Sequence, residues 1–215
     1  MTMEVFEGRQ TSSNIMSKSN RRVCFGFSEP LRMPLSVRES SRISLQPSLD
    51  VRELPRMYMQ ELTVGENAPD FIANITDGDT IKLSEILSAG EGVILYFYPR
   101  DNTSGCTVQA CDFRDSFGRF TDSGWRVIGV STDSAQSHQK FIDKNSLPFE
   151  LVVDEDSSLH EAYGTWREKN MYGNTYMGTL RSTFVIDSNG ILQWVRYKVS
   201  PKGHVDELLS DLGVV

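Results

Sequence analysis

Cysteine and histidine are scarce in this chain, three of each in 215 residues, and their spacing excludes most of the chemistry they could share. The pair Cys106 and Cys111 has no second pair to make a zinc knuckle, and none of His138, His160 and His204 stands at metal-ligand spacing from either. The histidines are therefore expected to be isolated, exposed and uninvolved, with neither a metal nor an organic cofactor required. A Cys-x-x-Cys pair is also missing, which argues against a disulfide reductase. No stretch approaches the roughly 18 apolar residues of a membrane helix. There is no apolar core of a secretory signal either. Basic charge is in deficit, with a net charge of −7, so nucleic acid is not an expected partner.

The charge is unevenly spread. Residues 1–50 hold seven Lys/Arg against five Asp/Glu, a balance of +2, which leaves −9 for residues 51–215. Residues 1–60 are rich in serine, carry scattered arginines and have little hydrophobic periodicity, which predicts a flexible extension. An organelle transit peptide for a plastid or mitochondrion fits the Arg and Ser content but not Glu4, Glu7, Glu29 and Glu39. A true start at Met57 or Met59 is the third reading; without a transit peptide the expected location is cytoplasmic. Cys24, in this segment, is expected to be a bystander.

The informative stretch is 93–117, VILYFYPRDNTSGCTVQACDFRDSF. Val93 to Tyr98 is continuously apolar and rich in β-branched and aromatic residues, the pattern of a strand buried on both faces. Pro99 ends it by removing a ladder donor. Turn and cap residues follow, so the chain re-enters order at a helix N-terminus with Cys106 in or near the first turn. Free N–H groups and the helix dipole favour an anion there, which favours the reactive thiolate. Thr103 is placed to direct its hydroxyl towards the sulfur or a substrate oxygen. Ala110, Phe113, Phe117 and Phe120 support a helix with one apolar face. Five residues of helix put Cys111 about 140° around from Cys106 and about 7.5 Å along the axis. Their Cα atoms would then be roughly 8.6 Å apart, beyond the ~7 Å limit for a disulfide, so a bond between them requires local unwinding.

The segment YPRDNTSGCTVQACDFRD resembles the active site of peroxiredoxins of the Q type, the bacterioferritin comigratory protein family. Pro99, Thr103 and Cys106 meet the pattern Pro-x-x-x-Thr-x-x-Cys, and Cys111 five residues on marks the Q-type branch. The resemblance runs from Ala68-Pro69-Asp70-Phe71 through RSTFVIDSNG to the C-terminus, so 61–215 is expected to be the catalytic domain. Ser104 departs from the usual proline and predicts a looser loop with retained chemistry. Read alone, Arg181 would be a charge on a solvated strand face. The resemblance implies instead that its guanidinium serves the sulfur of Cys106. It further implies Cys106 as peroxidatic nucleophile, Cys111 as resolving cysteine, Thr103 as a polarising hydroxyl and Pro99 as a shield. The implied substrate is hydrogen peroxide or an organic hydroperoxide. The implied product is a Cys106–Cys111 disulfide reduced by thioredoxin or a glutaredoxin, within a monomer. A redox sensor or holdase, and a thiol-disulfide oxidoreductase without peroxidase turnover, are the competing readings.

The rest of the chain alternates strands and helices. Strands are predicted at 71–75, 80–83, 125–130 and 151–153, and helices at 84–87, 134–145, 157–163 and 204–212. A hairpin is predicted around Asp187-Ser188-Asn189-Gly190, with Arg181 in its first strand. The segment YGTWREKNMYG is expected to be a loop bordering the site, with Trp125, Trp166 and Trp194 in the core or at its rim. This order gives an α/β protein with a mixed central sheet flanked by helices. The resemblance narrows it to a thioredoxin-like fold.

Overall fold

A computed structural model describes residues 61–171 and 173–214. The extension 1–60, with Cys24, Met57 and Met59, lies outside the described residues. The chain opens with a hairpin, β1 (Ile72–Asn74) and β2 (Thr80–Lys82), and a short helix α1 (Leu83–Ser88). The central sheet is built from β3 (Gly92–Phe97), β4 (Trp125–Ser131), β5 (Glu150–Val153), β8 (Ser182–Ile186) and β9 (Leu192–Tyr197) in the order β5-β4-β3-β8-β9. β3, β4 and β5 run parallel, while β8 lies antiparallel to β3 and to β9, so the sheet is mixed as expected. The helices α2 (Ser104–Asp115), α3 (Phe117–Asp122), α4 (Ala135–Asn145), α5 (Ser158–Ala162) and α6 (His204–Asp211) supply the layers.

The continuous apolar run of β3 has its cause in this layering. Ile94, Tyr96 and Tyr98 face a cluster with Cys106, Ala110 and Phe113 of α2, Phe141 of α4 and Leu208 of α6. Val93, Leu95 and Phe97 face the opposite cluster, with Phe71, Leu83, Ile86, Leu159 and Tyr163. A strand covered on both faces needs apolar residues at every position. Tyr96 stacks on Phe113 at 4.6 Å, which fixes α2 against the sheet. It fits because residue 129 is glycine: a Cβ there would lie 2.6 Å from Leu151 and 2.8 Å from the Tyr96 ring.

Three expectations change. The apolar face from Ala110 to Phe120 is divided between α2 and α3 by Ser116, whose φ of −104° and ψ of 4° interrupt the helix. The segment expected as a loop is a two-stranded hairpin, β6 (Trp166–Met171) with β7 (Asn174–Thr179). Most of β7 is exposed, so no alternation marks it in the sequence. All three histidines are buried, each bonded to a neighbour that hydropathy does not reveal. His138 meets Asp101 at 2.9 Å, His160 meets Asp154 at 2.5 Å, and His204 meets Thr183 at 2.9 Å. The tryptophans lie at the rim, partly covered, as expected.

Burial has a consequence for His204. Desolvation pushes its imidazole down to about 4 from 6.5, and its Nδ1 has no partner among the described residues. The folded state thus refuses a proton that the unfolded chain accepts, so this stabilisation is complete above pH 6.5 and is lost as pH falls towards 4. The loss is about 2 kcal/mol by pH 5 and about 3 kcal/mol in all. In urea unfolding, wild type should lose about 2 kcal/mol more stability than His204→Asn between pH 7 and pH 5, so the slope of stability against pH is the shallower in the variant. Equal slopes would reject this role.

Candidate active site

The site forms where β3 ends and α2 begins. After Tyr98 and Pro99 the chain turns through Asn102, whose φ is 55°, and reaches Thr103 at the N-cap of α2. The Thr103 carbonyl accepts from Thr107 N–H at 2.9 Å, and its hydroxyl donates to the Arg100 carbonyl at 3.1 Å. The hydroxyl hydrogen is thus committed to the loop, while the oxygen keeps its acceptor capacity. Ser104 begins the helix at the first helical position, where proline would also fit, so the helix start survives the departure.

Cys106 sits in the first turn and is 1 % exposed. Arg181 reaches it from the far side: Nη2 donates to Sγ at 3.1 Å, and Nη1 donates to Gln109 Oε1 at 2.5 Å. Arg181 lies just before β8 rather than inside the hairpin's first strand, and its carbonyl accepts from Val199 N–H at 2.9 Å. The approach depends on Gly105. A Cβ at that position would lie 3.2 Å from Pro201 and 3.7 Å from Arg181 Nη2. Arg181 thus sets a permanent, planar cation against the sulfur, with one Nη on Cys106 and the other on Gln109.

Two residues near this centre escaped sequence reasoning. Gln109 is fully buried one turn beyond Cys106, on the same face, and its position three residues on was the available signal. Lys169 on β6 bonds the Thr179 carbonyl through Nζ. Burial pushes its ammonium down and the Arg181 charge adds to that, while Cys106 acts in the opposite sense. It was hidden in the segment expected as a loop.

Beneath the loop lies a buried polar cluster. The Asp101 carboxylate accepts from Tyr98 at 2.8 Å and Ser137 at 2.7 Å and meets His138 Nδ1 at 2.9 Å. Its N–H donates to Asp133 at 2.8 Å. Burial alone would raise the Asp101 carboxyl, but the bonds from His138, Ser137 and Tyr98 and the His138 charge outweigh it and hold it below the usual range.

Cys111 is half-buried on α2, which stays helical through this residue, and both thiols are free. The sequence expectation for the reduced helix is met. The structure therefore brings Cys106 and Arg181 into contact, puts Thr103 at the N-cap of α2 with Pro99 four residues before it in the loop, and holds Cys111 five residues further along the helix. A cavity of about 540 Å³ lies elsewhere, lined by residues including Asp70, Asn74, Asp154 and Leu159, and includes none of these side chains.

The family model described as AhpC/TSA family matches residues 64–195. The chain belongs to this family. Peroxiredoxin Bcp of Bacillus subtilis is 46% identical over 153 residues, covering 70% of this chain and 95% of that protein. Peroxiredoxin Bcp of Escherichia coli is 38% identical over 152 residues, covering 71% and 96%. Among solved structures, the Xanthomonas campestris bacterioferritin comigratory protein, studied for alkyl peroxide reduction in trapped intermediate and ligand complexes, matches with TM-score 0.63 and 36% identity. That match covers 66% of this chain and 90% of the other. A cysteine variant of PrxQ from Xylella fastidiosa matches with TM-score 0.67 and 30% identity, covering 72% and 97%. The chain is thus a peroxiredoxin of the Bcp and Q-type group, a peroxidase on a thioredoxin-like fold.

Proposed function

We propose that this peroxiredoxin reduces hydrogen peroxide and organic hydroperoxides through Cys106, resolves the product with Cys111, and is recycled by thioredoxin. The observation that carries the reading is the 3.1 Å bond from Arg181 Nη2 to Cys106 Sγ at the first turn of α2. The Cys106 thiolate attacks the terminal oxygen of the hydroperoxide. An S–O bond forms, the O–O bond breaks, and the leaving oxygen takes a proton to depart as water or an alcohol. Arg181 and the N–H groups at Gly105 and Cys106 stabilise the charge that develops on the peroxide oxygens. Thr103, with its hydrogen directed to Arg100, offers its oxygen to the peroxide O–H, and Pro99 shields the sulfenic acid from bulk water. The relative from Xanthomonas campestris, studied for alkyl peroxide reduction, supports organic hydroperoxides as substrates.

Cys111 then attacks the sulfenic sulfur. The S–S bond forms as hydroxide leaves and is protonated to water. α2 must unwind for this step, because the two thiols lie on different faces of one helix. A dithiol donor gives two electrons back by exchange. Resolution within one chain needs no second subunit, which supports a monomer. A cycle that depends on a dithiol donor suits a reducing compartment such as the cytoplasm. Residues 61–215 form the catalytic domain in this reading, with 1–60 an appended extension.

The test is peroxide consumption coupled to thioredoxin and its reductase. Cys106→Ser is expected to abolish turnover, and Cys111→Ser to reduce it, with a Cys106–Cys111 disulfide in oxidised wild type by mass spectrometry. Full turnover by Cys106→Ser would reject the reading.

A further inference from the structure

The resolving cysteine is held on its helix by the end of another. Asn145, the last residue of α4, is 8% exposed, and its Nδ2 donates to the Phe141 carbonyl at 2.9 Å. The following residue, Ser146, turns left-handed with φ of 53°, and Leu147 N–H closes on the Ile142 carbonyl at 3.2 Å. Asn145 is therefore a fixed point. Two groups of α2 reach it. Cys111 Sγ lies 4.0 Å from Asn145 Oδ1, and Arg114 Nη1 donates to the Asn145 carbonyl at 2.7 Å. Arg114 is steadied in turn by Asp115, which accepts from Nε at 2.8 Å. Cys111 and Arg114 stand three residues apart, so one face of α2 presents both to the same residue.

We infer that Asn145 and Arg114 are positioning residues that clasp the Cys111 turn of α2 to the end of α4 and limit how fast Cys111 reaches the oxidised Cys106. The inference rests on the two-cysteine reading above. Unwinding between Cys106 and Cys111 must carry the Cys111 sulfur away from Asn145. Phe113, stacked on Tyr96, and Arg114, bonded to Asn145, anchor the helix just beyond the segment that opens. While the clasp holds, the sulfenic acid waits, and a second hydroperoxide competes with Cys111 for it, giving the sulfinic acid. The clasp thus sets the ratio of disulfide to over-oxidised enzyme.

The experiment is a single turnover of the full chain with one equivalent of hydrogen peroxide, quenched by acid and alkylation and read by mass spectrometry. It is repeated in excess peroxide to read sulfinic acid at Cys106. Asn145→Ala and Arg114→Met are each expected to speed disulfide formation about three- to tenfold, the size of a lost hydrogen bond or two. Both should lower the sulfinic fraction and leave the rate of peroxide attack unchanged. The double variant should gain less than the product of the two, because both act through Asn145. A merely structural role would not raise one rate alone. Disulfide formation that is unchanged or slowed in Asn145→Ala, while wild type still forms the disulfide, overturns the clasp and leaves the peroxidase reading intact. Absence of the disulfide from oxidised wild type overturns the two-cysteine reading and the clasp with it.

Discussion

Arg181→Met is expected to slow the attack of Cys106 on hydrogen peroxide by about 10²–10³-fold, the usual effect of removing one donor from a developing oxyanion. The side chain does three things from one position. It bonds the sulfur, it takes its orientation from buried Gln109, and in the proposed reaction its remaining N–H groups would donate to the peroxide oxygens. Methionine keeps the apolar stem and removes all three. Arg181→Lys keeps the charge, but an ammonium is a point and cannot span Gln109 Oε1 and Cys106 Sγ as a planar fork does. It should recover only a minor part of the loss. The measurement is the rate of sulfenic acid formation in a Cys111→Ser background, where the product persists for trapping and mass spectrometry. Alkylation of Cys106 by iodoacetamide at pH 7 separates two causes. If Arg181 acts mainly by favouring the thiolate, both rates fall together. If it acts on the peroxide oxygens, the peroxide rate falls far more. A loss below tenfold in Arg181→Met would remove Arg181 from the chemistry.

Sequence and structure agree where a residue's environment is written locally. The run from Val93 to Tyr98 declared a strand covered on both faces, and Pro99, the cap residues and Cys106 declared the helix start that follows. The separation of the two thiols on one helix followed from helical geometry alone. Arg181 was not legible in that way. It lies 75 residues from Cys106, and only the resemblance marked it. The buried histidines were hidden for a related reason. Each is made tolerable by a distant partner, such as Asp101 for His138 at a separation of 37 residues, and hydropathy records the residue without the partner. The β6–β7 hairpin was hidden because a strand exposed along most of its length has no period to read. The fold's centre was therefore legible, and the polar contacts that cross it were not.

The polar cluster under the active-site loop should carry a large share of the molecule's stability. Asp101→Ala is expected to cost about 3–5 kcal/mol, because it leaves His138, which is 0 % exposed, facing an empty space where a carboxylate stood. Domains of this kind have about 5–15 kcal/mol in total, so the variant should be marginal. A fall of roughly 6–20 °C in Tm is expected for a domain of this size. The reason lies in the ring's surroundings. Nδ1 meets Asp101 at 2.9 Å and Nε2 meets the Val152 carbonyl at 3.2 Å, so both ring nitrogens have a partner inside the fold. Without Asp101 the ring loses its partner at Nδ1, and Tyr98 and Ser137 lose their acceptor. The effect should reach the chemistry as well, since Asp101 lies within the loop that delivers Thr103 to the start of α2. Removing both partners separates pairing from burial. His138→Leu with Asp101→Ala should be less destabilised than the sum of the two single variants, by about 1–3 kcal/mol. Urea unfolding of the four proteins at pH 7 gives the coupling directly, and a cost below 1 kcal/mol for Asp101→Ala would mean that the cluster orders the loop without holding the fold.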